Sequence, residues 1–333
     1  MKLHTSYLGF DLPHPIVPGA CPLANDVDSA RRLEDGGAPM LIMTSLFEEE
    51  IQRESMAAYA AVDAPKEQFA EAMSYLPEPD SWTIGPEDYL DRIYMLKQAV
   101  SVPVIASLNG VSLGGWLRHA RAIEDAGADG LEINLYQVMT EVNRPAREIE
   151  AEQIQIVEEL KNQTSLPLAV KLSPFYTSVP NIAAHFGDAG AEAVVLFNRF
   201  YQPELDIEEL ELDRKLTLST SQELNVRLRW LAILSGHIDA KLAVTGGVHG
   251  VEDVVKSILC GAHVCQIVSQ LLLRGPHRIG ELAEGLSRWL DEHEYASLEQ
   301  ARGSMNMARS GYSHAYARAN YIHLLRSWRP DEA

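Results

Sequence analysis

Polar side chains stand near the ends of three apolar segments of the sequence. Asn134 and Gln137 come at the end of "LEINLYQ", Lys171 lies in "VKLSP", and Asn198 ends "VLFN". A lysine among apolar residues is costly to bury unless it meets an anion or a strong acceptor. If these segments are neighbouring strands of an α/β fold, their polar groups converge at the carboxyl ends, where such folds bind ligands. The pattern predicts a ligand site with Lys171 between two asparagines.

A second group of residues suits an anion. Gly246 and Gly247 end the apolar run of "VTGGV", and Ser269 stands in "QIVSQ". Glycines let backbone N–H groups approach an anion closely, and a helix N-terminus adds its dipole. Loops after the last two strands of a (β/α)8 barrel are the usual phosphate site of that fold. The sequence therefore predicts a phosphorylated ligand, such as FMN or a sugar phosphate.

The segments that must position these residues alternate between short apolar runs and amphipathic helical stretches. The strands are continuous apolar runs, as expected for parallel strands buried on both faces. Eight strand–helix pairs favour an α/β fold of the (β/α)8 TIM barrel type over an open doubly wound sheet. No Gly-rich dinucleotide fingerprint follows the first strand, which weakens the Rossmann alternative. The predicted strands are residues 15–20, 39–45, 102–110, 129–135, 167–173, 192–198, 240–248 and 263–269.

Two connections are too long for plain barrel loops. Residues 46–86 and 199–220 are predicted to be lids or binding elements over the C-terminal face of the barrel. We assign residues 1–295 to the ligand-binding barrel. Residues 296–333 form a C-terminal extension, which we expect to be a docking segment or an oligomer contact.

Composition and charge exclude several classes of partner. The chain has 333 residues, 46% of them hydrophobic, and a net charge of −19. This charge argues against nucleic acid and against an acidic membrane surface. Cys21, Cys260 and Cys265 show neither a disulfide framework nor metal-ligand spacing, so we predict small buried side chains and no metal site. The N-terminal residues lack an apolar signal-peptide core, and no run reaches membrane-spanning length, so we expect a cytoplasmic protein.

Eight motifs of the chain together resemble one family. They are "HPIVPGA", "LIMTS", "EINL", "VKLSP", "VLFN", "VTGGV", "SILCGAHVCQI" and "RGP". Their order and spacing are similar to those of dihydroorotate dehydrogenases of the cytosolic class 1 type. The resemblance covers about residues 1–295 and is most specific over residues 240–276. It implies an FMN-containing (β/α)8 barrel that oxidises dihydroorotate to orotate in pyrimidine biosynthesis.

The resemblance also implies a role for each candidate residue. Lys171 would contact the flavin ring, where its positive charge would stabilise the reduced form. Asn134 and Asn198 would hydrogen-bond the substrate pyrimidine. The residues expected to contact FMN are Gly19, Ala20, Ser45, Ser107, Asn134 and Lys171 and, at its phosphate, Gly246, Gly247 and Ser269.

The chain departs from the family pattern on the substrate side. The family has a cysteine as general base where this sequence has Gln137, a lysine where it has Thr44, and asparagines that are missing from "AMSYLPEPD". Gln137 can form hydrogen bonds but cannot take up a proton near neutral pH. The alternative bases are Tyr136, if its pKa were strongly lowered, Cys21, His249 and residues of the two long loops.

Three functions follow from these residues. The first is an FMN-dependent oxidoreductase that acts on dihydroorotate or on another small dihydro-heterocyclic or unsaturated substrate. The second is a non-catalytic barrel, with or without flavin, that serves as a subunit of a larger assembly. The third is an aldolase-like barrel that uses Lys171 as a Schiff base. We expect a homodimer and an electron-transfer partner, and any iron–sulfur centre would belong to that partner because the chain has no suitable cysteine cluster.

Overall fold

The computed structural model describes residues 3–47, 86–110, 113–135, 138–199, 204–213, 217–311, 313–317 and 326. Its strands are β1 (Thr5–Tyr7), β2 (Phe10–Leu12), β3 (Ile16–Pro18), β4 (Leu41–Phe47), β5 (Val104–Asn109), β6 (Gly130–Leu135), β7 (Leu168–Leu172), β8 (Ala193–Leu196), β9 (Glu204–Asp206), β10 (Glu211–Asp213), β11 (Lys241–Thr245) and β12 (Val264–Ile267).

The α-helices alternate with the long strands. They are α1 (Val27–Asp35), α2 (Pro86–Ala99), α3 (Leu113–Asp125), α4 (Ala146–Gln163), α5 (Val179–Asp188), α6 (Leu224–Leu234), α7 (Val251–Cys260), α8 (Ser269–Arg274), α9 (Arg278–Glu292), α10 (Leu298–Ala301) and α11 (Ser313–Ala317). Two short 3-10 helices span Pro22–Ala24 and Ser221–Glu223. None of the helices in these ranges combines the length and apolar character needed to span a bilayer.

Eight of the strands form one parallel sheet. Their order is β3-β12-β11-β8-β7-β6-β5-β4, and every adjacent pair is parallel. The two outer strands, β3 and β4, lie against each other, which brings the sheet into a nearly closed barrel. This topology confirms the predicted (β/α)8 TIM barrel.

The barrel interior changes from apolar to polar along its axis. Toward the N-terminal ends of the strands it holds small and branched side chains such as Ile105, Ala169 and Val264. The hairpin β1–β2 inserts Tyr7 and Leu8 into this apolar layer and covers that end of the barrel. Toward the C-terminal ends, the buried polar side chains are Ser107, Glu132, Asn134, Lys171 and Gln266. The fold thus places its polar groups above an apolar floor.

An irregularity in β4 shapes the C-terminal end of the barrel. The pairing of β4 with β5 shifts register between Ile42 and Ser45. The Tyr89 hydroxyl, from α2, accepts from the backbone N of Ser107 at 2.9 Å and lies 3.0 Å from the carbonyl O of Thr44. The phenol therefore satisfies backbone groups that the shifted ladder leaves unpaired, and the bulge directs Ser45 toward Ser107.

The two predicted lid loops are only partly described. Residues 46–47 belong to β4, and the prediction for residues 48–85 lies outside the described residues. In the second loop, β9 and β10 form an antiparallel hairpin with Leu205 opposite Leu212. Residues 200–203 and 214–216 of that loop also lie outside the described ranges.

The start of the C-terminal segment packs on the barrel helices. The backbone N–H of Gly303 donates to Ile258 O at 3.0 Å, and that of Met305 donates to Leu259 O at 2.8 Å. Leu298 is fully buried. Residues 297–311 are thereby attached to α7, while the predicted division of the chain at residue 295 stays a prediction.

Candidate functional site

A cavity of about 190 Å³ opens at the C-terminal end of the barrel. It is bounded by the ends of β7, β8, β11 and β12 and by the loops that follow them. Two of its lining side chains, Lys171 and Arg199, are cationic, and none of the described lining residues is a carboxylate. Lys171 pairs with Glu132 and Arg199 with Glu223, both outside this lining, so the suitability of the cavity for an anion rests on its glycine backbone and serine hydroxyls as well as on these two side chains. The polar lining residues are Lys171, Asn198, Arg199, Ser219, Thr245, Gly246, Gly247, Gln266 and Ser269.

The glycine pair after β11 adopts a backbone that requires glycine. Gly246 and Gly247 have φ angles of 82° and 89°, in the left-handed region. A Cβ on Gly247 would lie 2.6 Å from the backbone N of Leu224, and one on Gly246 would lie 2.8 Å from Arg227 Nη2. The first turn of α6 therefore packs closely against the face of this loop that points away from the cavity. The close approach leaves the cavity side of the loop as bare backbone.

Two serine hydroxyls meet this loop. Ser219 Oγ lies 2.9 Å from Ser269 Oγ, and the backbone N–H of Gly247 donates to Ser219 Oγ at 3.3 Å. Ser269 is the first residue of α8. The structure thus brings the predicted residues Gly246, Gly247 and Ser269 together. Ser219 was not predicted, because the segment "TLSTS" offers several serines and no pattern that distinguishes one of them.

A side-chain network supports Ser219 from outside the cavity. His249 Nε2 lies 3.2 Å from Ser219 Oγ, and Gln270 Nε2 lies 2.8 Å from His249 Nδ1. Arg278 donates to the carbonyl O of His249 at 2.9 Å. Because the Gln270 amide donates to Nδ1, the ring proton of this tautomer is assigned to Nε2, which donates to the serine. His249 therefore positions Ser219, and both of its ring nitrogens are engaged.

The opposite end of the cavity is built on an ion pair. Lys171 Nζ on β7 contacts Glu132 Oε1 on β6, and the two side chains are 6% and 1% exposed. Gln266 Nε2 on β12 donates to Glu132 Oε2 at 2.7 Å. Since β6 and β12 are separated by three strands, this hydrogen bond crosses the barrel interior. Lys171 is thus placed as predicted, whereas Glu132 and Gln266 were not predicted as site residues.

A cluster of three small polar side chains lies beside this ion pair. Asn134 Nδ2 donates to Ser45 Oγ at 2.7 Å and to Ser107 Oγ at 3.1 Å. The two serine oxygens are 2.8 Å apart. Thr44, at the position of the family lysine, is held by hydrogen bonds to Asn25. Asn134, Ser45 and Ser107, predicted to line the same ligand, are therefore in direct contact.

The other predicted contacts lie near the same cavity. Asn198 lines it, and its backbone N–H donates to Leu172 O at 2.7 Å. Ala20 also lines it. The Gly19 N–H donates to Ile267 O at 2.9 Å and continues the pairing of β3 with β12. That N–H is consequently used within the sheet.

Two of the alternative bases are not placed to act on a substrate. Burial raises the pKa of the Cys21 thiol, which disfavours the thiolate that a base requires. His249 lies at the glycine end of the cavity and is engaged on both ring nitrogens. Tyr136 and Gln137 fall outside the described residues. The ion pair also disfavours a Schiff base at Lys171, because its Nζ is already held against the Glu132 carboxylate, whereas a Schiff base needs a free amine.

Comparison with known proteins gives one consistent family. The family model described as "Dihydroorotate dehydrogenase" matches residues 83–290. A putative dihydroorotate dehydrogenase A (fumarate) of Aeropyrum pernix is 27% identical over 221 residues, which cover 64% of this chain and 72% of that protein. A dihydroorotate dehydrogenase B (NAD(+)) catalytic subunit of Pelobacter propionicus is 31% identical over 154 residues, 45% of this chain and 50% of that protein. The NAD-dependent dihydropyrimidine dehydrogenase subunit PreA of Escherichia coli is 22% identical over 239 residues, 66% and 54% of the two chains.

Proposed function

The chain belongs to the dihydroorotate dehydrogenase family, and on this premise we propose that it is an FMN-dependent oxidoreductase whose cofactor lies in the C-terminal cavity. The single observation that carries the proposal is the lining of that cavity. It combines Lys171 and Arg199 with two serine hydroxyls and a bare glycine backbone, and the described lining contains no carboxylate. This donor set suits a ligand with a phosphate at one end and a hydrogen-bonding ring at the other.

Each end of the cavity has residues that fit one part of FMN. Gly246, Gly247, Ser219 and Ser269 offer backbone and hydroxyl groups for the phosphate. Lys171 offers an ammonium for the ring. FMN, when bound, supplies the acceptor for the hydride that leaves the substrate.

The protein's own contribution to the reaction is binding and orientation. The amide of Asn198 and the cluster around Asn134 orient a planar substrate beside Lys171. Lys171 would donate a hydrogen bond to the flavin ring, and its ammonium is paired with Glu132. Dihydroorotate is the first candidate substrate, and another small dihydro-heterocycle is the second. Since Gln137 cannot serve as a base, the proton must leave to a group other than the one at that position.

One observation favours a second candidate function, that of a flavin-binding or flavin-free subunit of a larger assembly. The hairpin β9–β10 exposes four apolar side chains, Leu205, Ile207, Leu210 and Leu212, at 58–87% of their surface. Exposed apolar clusters of this kind often mark contact surfaces. A homodimer or an electron-transfer partner would each cover such a surface.

The test of the proposed function starts from the purified protein. We expect a yellow protein that releases FMN on denaturation, identified by chromatography against FAD and riboflavin standards. Protein stripped of flavin should take up FMN to equimolar amount in a fluorescence titration. Anaerobic addition of dihydroorotate and of other small dihydro-heterocycles then separates the two functions, since an enzyme is bleached by its own substrate and a non-catalytic subunit by none of them. A colourless protein that takes up no FMN would contradict the proposal.

A further inference from the structure

Glu132 is a buried carboxylate directly below the cavity. Its side chain is 1% exposed, and it lies on β6 two residues before Asn134. Burying an ionised carboxylate is costly unless a cation and hydrogen bonds compensate it. Glu132 has both, because Oε1 contacts Lys171 Nζ and Oε2 accepts from Gln266 Nε2 at 2.7 Å. Each of its oxygens is thus committed to a side chain that itself lines the cavity.

The register of the sheet shows how this contact orients the lysine. Asn134 stands opposite Lys171, and Glu132 stands opposite Ala169, one interior layer closer to the apolar floor. To reach Glu132, the ammonium of Lys171 must bend toward that floor. A free lysine at a strand end would instead extend toward solvent. Glu132 therefore fixes the ammonium at the bottom of the cavity.

The charge of the pair is confined to these two side chains. Two buried phenols, Tyr7 and Tyr89, also interact with Glu132. Burial raises the pKa of both phenols well above the usual value, and the negative charge of Glu132 raises it further. The phenols stay neutral, so they add no further charge beside the ion pair of Lys171 and Glu132.

We propose that Glu132 is a positioning residue of the cofactor site, which holds Lys171 against the flavin ring and cancels its charge. The inference rests on the proposed function, because it takes the ring of FMN to lie on Lys171. A flavin ring at the bottom of the cavity would receive a hydrogen bond from Lys171 without a net positive charge beside it, because Glu132 balances the lysine. Glu132 thereby sets the reduction potential of the bound cofactor below the value that an unopposed lysine would give.

The test compares the affinities for oxidised and reduced FMN, whose ratio gives the shift of the midpoint potential. We expect Glu132→Gln to increase the relative affinity for reduced FMN about tenfold, a rise of about 30 mV for a two-electron couple. Lys171→Met should change the ratio in the opposite direction. Adding Glu132→Gln to Lys171→Met should then raise the ratio again, because the double variant has lost both charges of the buried pair. If Glu132→Gln alone does not fold, the Lys171→Met background still measures the effect of the Glu132 charge on the flavin.

A matched control is available at the other end of the barrel. Glu192, which precedes β8, pairs with Lys161 at 2.7 Å, so Glu192→Gln makes the same chemical change away from the cavity and should leave the ratio unchanged. Glu132→Asp, which keeps the charge, should stay close to the wild-type ratio. A merely structural role for Glu132 would lower stability without moving the potential.

The outcomes separate this inference from the proposed function. Wild-type protein that binds no FMN would overturn both. Wild-type protein that binds FMN, with a rise smaller than about threefold on Glu132→Gln in both backgrounds, would overturn the role of Glu132 alone. A rise of about tenfold in the wild-type background, with Glu192→Gln unchanged, would establish it, whereas a rise only in the Lys171→Met background would establish the charge of Glu132 and overturn its action through Lys171.

Discussion

Gly246 and Gly247 form one end of the cavity through the shape of the backbone, whereas Lys171 and Glu132 form the other end through two buried charges. At the first end, the glycines have positive φ angles and the first turn of α6 leaves no room for a side chain. At the second end, the backbone is a regular strand and the side chains carry the chemistry.

Because of this difference, we expect substitutions at the two ends of the cavity to have different consequences. A substitution at the glycine end strains the backbone and affects the phosphate of a ligand first. A substitution at the lysine end leaves an uncompensated charge in the barrel interior and affects the whole domain.

The largest effect is expected for Lys171→Met, which leaves Glu132 buried without its cation. We expect the free energy of unfolding to fall by about 3–5 kcal/mol, and the double substitution with Glu132→Gln to recover most of that loss. Urea titration followed by circular dichroism measures both. Lys161→Met is the control, because its pair with Glu192 is partly exposed and should cost about 1 kcal/mol or less. A loss for Lys171→Met no larger than that of the control would show that the two ends do not differ in this way.

A smaller but distinct effect is expected for Gly247→Ala. The φ angle of 89° and the contact of 2.6 Å between a Cβ and Leu224 N should cost about 1–3 kcal/mol and weaken FMN binding. Alanine is chosen over aspartate because Gly247→Asp would combine the same backbone strain with repulsion between its carboxylate and the phosphate of FMN. Gly187→Ala in α5 is the control, since its Cβ would meet Ala240 Cβ at an ordinary 3.8 Å. Equal stability and equal FMN affinity for both alanine variants would argue against a backbone-built phosphate end.

Ser219→Ala should change ligand affinity with little effect on the fold. Ser219 connects Ser269, His249 and the Gly247 amide, and one such hydrogen-bonding group is worth about 1 kcal/mol, or about fivefold in affinity. We expect the affinity for FMN to fall by that factor in a fluorescence titration. Riboflavin, which lacks the phosphate, is the control ligand and should bind the variant and the wild type equally. Equal losses for the two ligands would place Ser219 away from the phosphate.

The smallest change is expected where the family residue is restored on the substrate side. Gln137→Cys should raise the rate of anaerobic flavin reduction by dihydroorotate by less than about tenfold, because a base acts only on a positioned proton. The family asparagines are missing from "AMSYLPEPD", so one thiol supplies a single part of the pocket. General-base catalysis in correct geometry is worth about 10²–10⁴-fold. A stopped-flow gain of that size would show that the substrate pocket is still built for dihydroorotate.

The alternation of apolar runs and helices was sufficient to predict the barrel and the approximate position of its eight parallel strands. It did not predict the hairpin β1–β2, whose turn residues Leu8 and Gly9 both have positive φ. Such turns usually contain Asn-Gly or Asp-Gly, and a leucine in the first position gives no signal. Leu8 is instead retained by its burial in the barrel.

The candidate site was predictable where a short motif fixes the backbone. The pair Gly246-Gly247 and the isolated Lys171 were visible as such motifs. Glu132 was visible only as one polar residue among others in "LEINL", because its partners lie on β7 and β12, far away in the sequence. A carboxylate within a strand buried on both faces requires a cation, and that rule would have paired Glu132 with Lys171. Ser219 has no comparable signal.

The most direct test is a crystal structure of the protein grown with FMN. We predict electron density for the phosphate against Gly247 and Ser269 and for the flavin ring on Lys171, with Glu132 still paired to the lysine. FMN bound elsewhere on the protein, or a cavity without flavin density at saturating FMN, would contradict it.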